Sequence, residues 1–255
     1  MTITTYHTTI LTLLYRFRFL ERQQIQILIG HNHSSRVSLW LRVLVQEGYI
    51  RRFYNQHQVT VAAQYSLGLK GRKYLKQSAF ESDEKVLNRV WREKAVSAEF
   101  RRRCIRIADI FLSLLSLVKE TQAELKFWTK TDLYNVQYLV LPHPDAYFSL
   151  AEKTGRKQYY FLDLFDELTP RMVLRKRVRQ YLNYHEAELW QDETGKAFPN
   201  VILVFSDEHA YKYCYKQIQK LLADDIGINF YLATWEQVKV QGLSRAVLKK
   251  VTLAE

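Results

Sequence analysis

Apolar residues recur at helical spacing through "TILTLLYRFRFL" (9–20), which predicts an amphipathic helix. A second short helix, "ERQQIQILIG" (21–30), stops at Gly30. "HNHSSRVSLWLRVLVQEGYI" (31–50) offers Asn32, Ser34 and Ser35 as N-caps, then lines up Val37, Trp40, Leu41, Leu44 and Val45 on one face. Glu47-Gly48 ends that helix. The run "YIRRFYNQHQVTVAAQYSLGLKGRKYL" (49–75) reads as strand, polar turn, strand and a short closing helix. Three helices and a β-hairpin in this order make a winged helix-turn-helix, expected over residues 1–80.

The polar, acidic-leaning stretch "QSAFESDEKVLNRV" (77–90) marks a domain boundary, with a second domain over 81–255. A long helix is expected over 91–120. Strand-like runs follow at 124–130, 136–141 ("VQYLVL"), 145–151 and 158–165. The segment 169–190 is helical, with Thr169 as N-cap and Pro170 at the first helical position. A buried-type strand (200–206), a helix (207–225) and a last strand (228–235) complete the pattern. Helix, several strands, helix, strand, helix, strand describes an α/β domain with a mixed sheet.

Composition narrows the function classes. Hydrophobic residues make up 47% of the 255, with 17 Tyr and 13 Phe, so there is ample core material, while scarce Gly (8) and Pro (4) argue against disorder and long flexible linkers. The longest apolar run, "IADIFLSLLSLV" (107–118), is too short to span a bilayer, and no membrane partner is expected. The N-terminus lacks a basic region ahead of its apolar part, so no signal peptide is expected. Cys104 and Cys214 are the only cysteines and read as packing residues, which fits a cytoplasmic protein.

Charge adds a partner. Of the net +12, the first 80 residues carry +9, with eleven Lys and Arg against Glu21 and Glu47. A basic region of this kind attracts a polyanion through counterion release, and double-stranded DNA is the expected partner. In a winged helix the third helix enters the major groove with its N-terminal side chains nearest the bases. Those are Ser34, Ser35, Arg36 and Ser38, with Arg42 one turn further on. Arg36 suits guanine's acceptor pair. Arg51, Arg52, Tyr54, Gln56, His57 and Gln58 flank or form the wing, where phosphate or minor-groove contact is expected. The apolar first helix offers a surface for a homodimer. His31, His33 and His57 have no acidic or cysteine partner nearby and read as polar helix-entrance and wing residues. The tyrosines of "YKYCYKQIQK" (211–220) read as packing residues. No phosphate-cradling glycine loop, HExxH or GxSxG is present, which removes NTPase, zincin and serine-hydrolase readings.

The chain resembles the replication-relaxation family of plasmid and mobile-element proteins. The match is carried by "LYRFRFLERQQIQILIG", "LRVLVQEGYIRR", "YSLGLKGRKYL", "HPDAYFSL", "YYFLDLF" and "RVRQYLNYHE", in that order from residue 14 to about 186. The resemblance implies a winged helix joined to a restriction-endonuclease-like domain, and a part in plasmid replication or in DNA relaxation at transfer origins. A relaxase or replication protein is then a further expected partner.

In the endonuclease fold an Asp opening one strand and an acidic residue in the next bind Mg²⁺, and a Lys two residues on steadies the attacking water. Asp145 fits the first place and Asp163 the second, with Glu99 a helix contribution. The third place is Phe165, which cannot polarise water. Asp166 falls on the other face of an alternating strand. Lys157, Lys176 and Arg177 are candidate substitutes. A carboxylate inside "YYFLDLF" must be paired or metal-bound, and a salt bridge to Arg175, Lys176 or Arg177 would satisfy Asp163 without catalysis. The expectation is therefore a DNA-binding accessory protein with a degenerate nuclease site and no cofactor. Two alternatives stay open: an active Mg²⁺-dependent endonuclease or nickase, and a winged-helix transcription regulator.

Overall fold

The computed structural model describes residues 2–54, 61–78, 80–222 and 227–252. The chain forms two compact units, Met1–Leu112 and Ser113–Glu255. In the first, α1 (Thr5–Phe17), β1 (Leu20–Glu21), α2 (Arg22–Leu28) and α3 (Ser34–Gln46) precede β2 (Ile50–Phe53) and β3 (Gln64–Leu67). Then come α4 (Leu69–Gln77), α5 (Glu84–Asn88), α6 (Val90–Glu93) and α7 (Ala98–Thr121), a helix that continues past the division at Leu112. The strands pair antiparallel in the order β1-β3-β2, with Ile50 opposite Leu67 and Leu20 opposite Tyr65.

The apolar periodicity explains the packing. Ile10, Leu11, Leu14 and Phe17 from α1, Ile25 from α2 and Val37, Leu41 and Leu44 from α3 are all buried. The α1 side chains that the sequence offers as a dimer surface are thus the interior of their own unit. The N-cap of α3 is His33, with no side-chain capping bond, because the helix starts at Ser34 and takes both serines into its first turn. Glycine is required in "YSLGLKGRKYL". A Cβ on Gly71 would stand 2.3 Å from the Tyr49 carbonyl oxygen, and one on Gly68 would stand 2.6 Å from that of Gly48.

Residues beyond 80 complete this unit, so the boundary expected at 77–90 lies inside it. Phe19 packs with Cys104 and Ile105, and the Gln24 side-chain amide donates to the Ile105 carbonyl and the Asp109 carboxylate. Arg18 leaves α1 at a positive φ of 70° in a tight turn closed by the Phe19 amide on the Phe17 carbonyl (2.9 Å), and its side chain is fixed. Its Nε donates to buried Glu93 at 2.9 Å, and its guanidinium lies 4.3 Å over the Phe100 ring. The acidic lean of 77–90 reflects local pairing: Glu84 binds Lys76, and Asp83 caps α5.

The second unit contains β4 (Glu124–Thr129), β5 (Ala146–Ala151), β6 (Lys157–Phe165), α8 (Arg171–Glu186), α9 (Leu189–Thr194), β7 (Asn200–Phe205), α10 (Glu208–Leu221), β8 (Phe230–Thr234), α11 (Trp235–Gln241) and β9 (Lys249–Lys250). Among the described residues its strands form one mixed six-stranded sheet in the order β4-β5-β6-β7-β8-β9, parallel at β6-β7 and β7-β8 and antiparallel elsewhere. Strand alternation sorts its side chains by face. Phe161, Phe165, Val201, Leu203 and Phe205 pack with Leu174, Val178 and Tyr181 of α8 and Cys214 and Ile218 of α10. Phe148, Tyr160 and Ile202 line a cleft of about 560 Å³ with Leu114, Leu117 and Val118.

Two local expectations are corrected. The run 136–141 is irregular rather than a strand, although Leu139 and Val140 are buried. It leads into Pro142 and Pro144, which lack the amide donors a ladder needs. Helix α8 starts at Arg171 with Pro170 as N-cap, one residue later than expected, so Thr169 stands outside it. No helix among the described residues is long and apolar enough to cross a membrane.

Two outcomes test this packing. Gly71→Ala forces its Cβ into a backbone carbonyl and lowers stability by about 1–3 kcal/mol, read from urea unfolding. Burial raises the Glu93 carboxyl above its ordinary 4.5, against the pull of Arg18. The folded protein then holds that proton more tightly than the unfolded chain. Stability therefore falls as pH climbs from about 4.5 through the raised value, and Glu93→Gln removes this component from the urea midpoint.

Candidate functional site

In the first unit the N-terminal turns of α3 face solvent. Ser34, Ser35, Arg36 and Arg42 are exposed and Ser38 is half-buried. Val37, Leu41 and Leu44 are buried, so helical periodicity leaves the polar positions outward. Beside α3 runs a groove of about 470 Å³ that brings Ser38 and Arg42 together with Arg52. Arg52 is exposed and lies 4.9 Å over the Tyr54 ring, which stiffens it at the strand end. Arg51 points the other way along the alternating strand, is half-buried, and its charge acts on Glu93. Gln56, His57 and Gln58 lie outside the described residues.

The same groove takes in Glu21, Arg22 and Gln23 from the start of α2, which the sequence reading did not single out. Arg22 was visible only as one charge in the basic excess; its place beside Arg42 comes from the helix packing. Burial, and then Asp109, raise the Glu21 carboxyl. His31 and His33 gather with Tyr6 and Trp40: the His31 ring lies 4.9 Å from Trp40, and its Nδ1 accepts from the His33 amide. The histidines are thus part of an aromatic cluster at the helix entrance.

In the second unit Asp145 and Asp163 are brought together. The antiparallel register of β5 and β6 pairs Ala146 with Leu162, and one step further sets Asp145 across from Asp163. The Asp145 amide donates to Asp163 Oδ1 (3.3 Å), and the Leu164 amide donates to Asp145 Oδ2 (2.9 Å). Asp163 Oδ2 takes two further bonds, from Arg177 Nε at 2.6 Å and the Tyr181 hydroxyl at 2.7 Å. The other guanidinium nitrogens of Arg177 reach the Tyr181 hydroxyl oxygen (2.9 Å) and the Pro142 carbonyl (2.6 Å). All four residues are buried, with exposures of 4, 3, 5 and 0% for Asp145, Asp163, Arg177 and Tyr181.

The electrostatics follow from that enclosure. Burial alone would lower the Arg177 pKa, but Asp163, Tyr181 and Asp145 together outweigh burial and hold the guanidinium charged. Burial, followed by the Asp163 charge, pushes the Tyr181 hydroxyl well above its usual range, so it stays a neutral donor. A Mg²⁺ ion demands near-octahedral oxygen ligation and keeps several waters. Here Asp163 Oδ2 faces a fixed cation and a hydroxyl proton, and Asp163 Oδ1 and Asp145 Oδ2 each accept a backbone amide. This donor set does not fit Mg²⁺. Among the described residues no three His, Cys, Asp or Glu side chains converge on a common point.

The remaining candidates stand elsewhere. Phe165 is buried and stacks on Phe205 at 5.2 Å, so the place of the expected lysine belongs to the core. Lys157 is exposed at the far end of β6, about 20 Å along the strand from Asp163. Lys176 precedes Arg177 in α8 but is exposed, because adjacent helical residues point about 100° apart. Asp166 follows the strand, and its carbonyl accepts from Thr169. Glu99 belongs to the first unit, exposed on the first turn of α7, where its own amide and then Ser97 lower its carboxyl. Of the three basic residues considered as partners for Asp163, Arg177 is the one that binds it. Tyr181 was missed, although its i, i+4 spacing from Arg177 in "RVRQYLNYHE" was the available signal.

The architecture is α/β with a mixed sheet, enclosing a closed carboxylate–guanidinium cluster. The sequence model for replication-relaxation matches residues 11–201, and the chain belongs to that family. Membership points to a role in replication or DNA relaxation of a plasmid or mobile element. No curated protein matches the chain.

The cluster makes a double-mutant prediction. Asp163→Asn or Arg177→Met alone strands a buried partner and lowers stability by about 3–5 kcal/mol. The double variant loses clearly less than the sum, measured by urea unfolding of all four proteins.

Proposed function

We propose that this protein is a DNA-binding accessory factor in replication initiation or DNA relaxation of a plasmid or mobile element. Residues of the first unit form a winged helix that docks α3 in the major groove, with Arg36 nearest the bases. Arg42, Arg52 and Arg22 hold phosphates along the adjoining groove. The order of three helices and an antiparallel β2–β3 pair supports this reading, as do the exposed, polar first turns of α3.

The second unit is read as an endonuclease-like domain without cleavage activity. Three antiparallel strands followed by a helical crossover to a parallel strand support this reading, as does the pairing of Asp145, just ahead of β5, with Asp163 in β6. The observation that carries the conclusion is the bond from Arg177 to Asp163, which sets a permanent protein cation against the carboxylate a metal would require. The domain then serves binding rather than phosphodiester chemistry.

Fluorescence anisotropy with the cognate duplex is expected to give salt-dependent binding that Arg36→Ala weakens by about 1–3 kcal/mol. Arg42→Ala is expected to weaken binding to all sequences and to lower the salt slope by about one. Supercoiled plasmid with Mg²⁺ or Mn²⁺ should show no nicking that Asp163→Ala abolishes. Such nicking would make the protein a nuclease.

A further inference from the structure

Helix α8 has two faces of opposite character. Leu174, Arg177, Val178, Tyr181, Leu182 and Tyr184 are buried, and Arg177 is the only residue of this helix in an ion pair among the described residues. Outward stand Arg171, Arg175, Lys176 and Arg179, all exposed. From Arg171 to His185 the helix contains no acidic residue. The only partner of these four among the described residues is the Tyr213 ring, 5.1 Å from the Arg171 guanidinium.

A helix arranged for its own stability would not carry these charges here. Arg171 stands in the first turn, where the helix dipole disfavours cations. Arg171–Arg175 and Arg175–Arg179 are like-charge pairs at i, i+4, which oppose helix formation. The three arginines line about 12 Å of helix, a length over which a DNA duplex presents about seven phosphate charges.

We propose that the outer face of α8 is a second nucleic-acid surface, which grips the duplex phosphate backbone without reading sequence. This rests on the reading of the chain as a duplex-binding protein, and adds a contact made by the second unit itself. The buried carboxylate cluster and the exposed cations share one helix, so Arg177 anchors the element that presents the others. A duplex is favoured over an anionic membrane because the apolar face of α8 is committed to the core and cannot insert between lipids. Exposed Leu168, Met172 and Val173 flank the cations, and they make a lipid control necessary.

The test uses the full chain with Arg171, Arg175, Lys176 and Arg179 replaced together by Gln, a good helix former. Thermal melts of this variant should lie at or above wild type, since the like-charge pairs are gone. Anisotropy with a random-sequence 30-base-pair duplex across a KCl series gives the slope of log affinity against log salt. The expected result is a slope shallower by about three to four, from roughly 0.9 per lost phosphate contact, and at least tenfold weaker binding. The substitutions Arg171→Lys, Arg175→Lys and Arg179→Lys, made together, should keep most of the slope. An unchanged slope in the Gln variant, with wild type binding and Arg42→Ala weakened, overturns this inference alone. No duplex binding by wild type removes the underlying reading as well. Loss of binding to phosphatidylserine–phosphatidylcholine vesicles, with the duplex slope intact, would assign the face to lipid and also overturn it.

Discussion

A carboxylate in the middle of an apolar strand sets the constraint that organises the second unit. Asp163 sits among Phe161, Leu162, Leu164 and Phe165, all buried, and an unpaired charge there would cost several kcal/mol. Arg177 and Tyr181 from α8 satisfy it, while Arg177 also holds the Pro142 carbonyl. The cluster ties two strands, one helix and the irregular run before β5 to a single point. Breaking any member leaves a buried polar group, which is why the helix, its register against the sheet and the Pro142 segment depend on one another.

The first unit uses a similar device in a milder form. Arg18 pairs with buried Glu93 and covers the Phe100 ring, linking the end of α1 to segments more than seventy residues later in the chain. The desolvation of Glu93 raises its pKa despite the arginine, so this clasp works against part of its own burial cost. Its benefit is geometric. It fixes the turn between α1 and β1, and β1 leads directly into α2, whose first residues share a groove with α3.

Arginine thus serves two purposes in this protein. Arg18, half-buried, and Arg177, buried, are bonded to carboxylates and spent on structure. Arg36, Arg42, Arg52 and the outer cations of α8 remain exposed, free to meet an external polyanion. Net charge cannot separate these groups, because both count equally toward +12. The proposed function depends on which is which, and so does the proposed absence of cleavage, because Arg177 is bonded to Asp163.

Periodicity made the helices α1, α2, α3, α8 and α10 and most strands of the mixed sheet legible, because burial on one face imposes 3.6- or 2-residue repeats on any chain. It also showed that Asp163 needed a partner and named Arg177 among three candidates. The short strands β1 and β9 were not legible, since two residues carry no period and exist only through their neighbours. Nor was the irregular path of 136–141, where apolar residues enter the core without a ladder. The groove residues Arg22 and Gln23, the bond from Tyr181 and the long-range clasp of Arg18 escaped for a common reason. Sequence determines which residues must be buried or solvated, through local spacing and composition. Which cation meets which carboxylate is decided only when segments distant in the chain pack together, because that choice turns on angstrom-scale distances that no local pattern encodes.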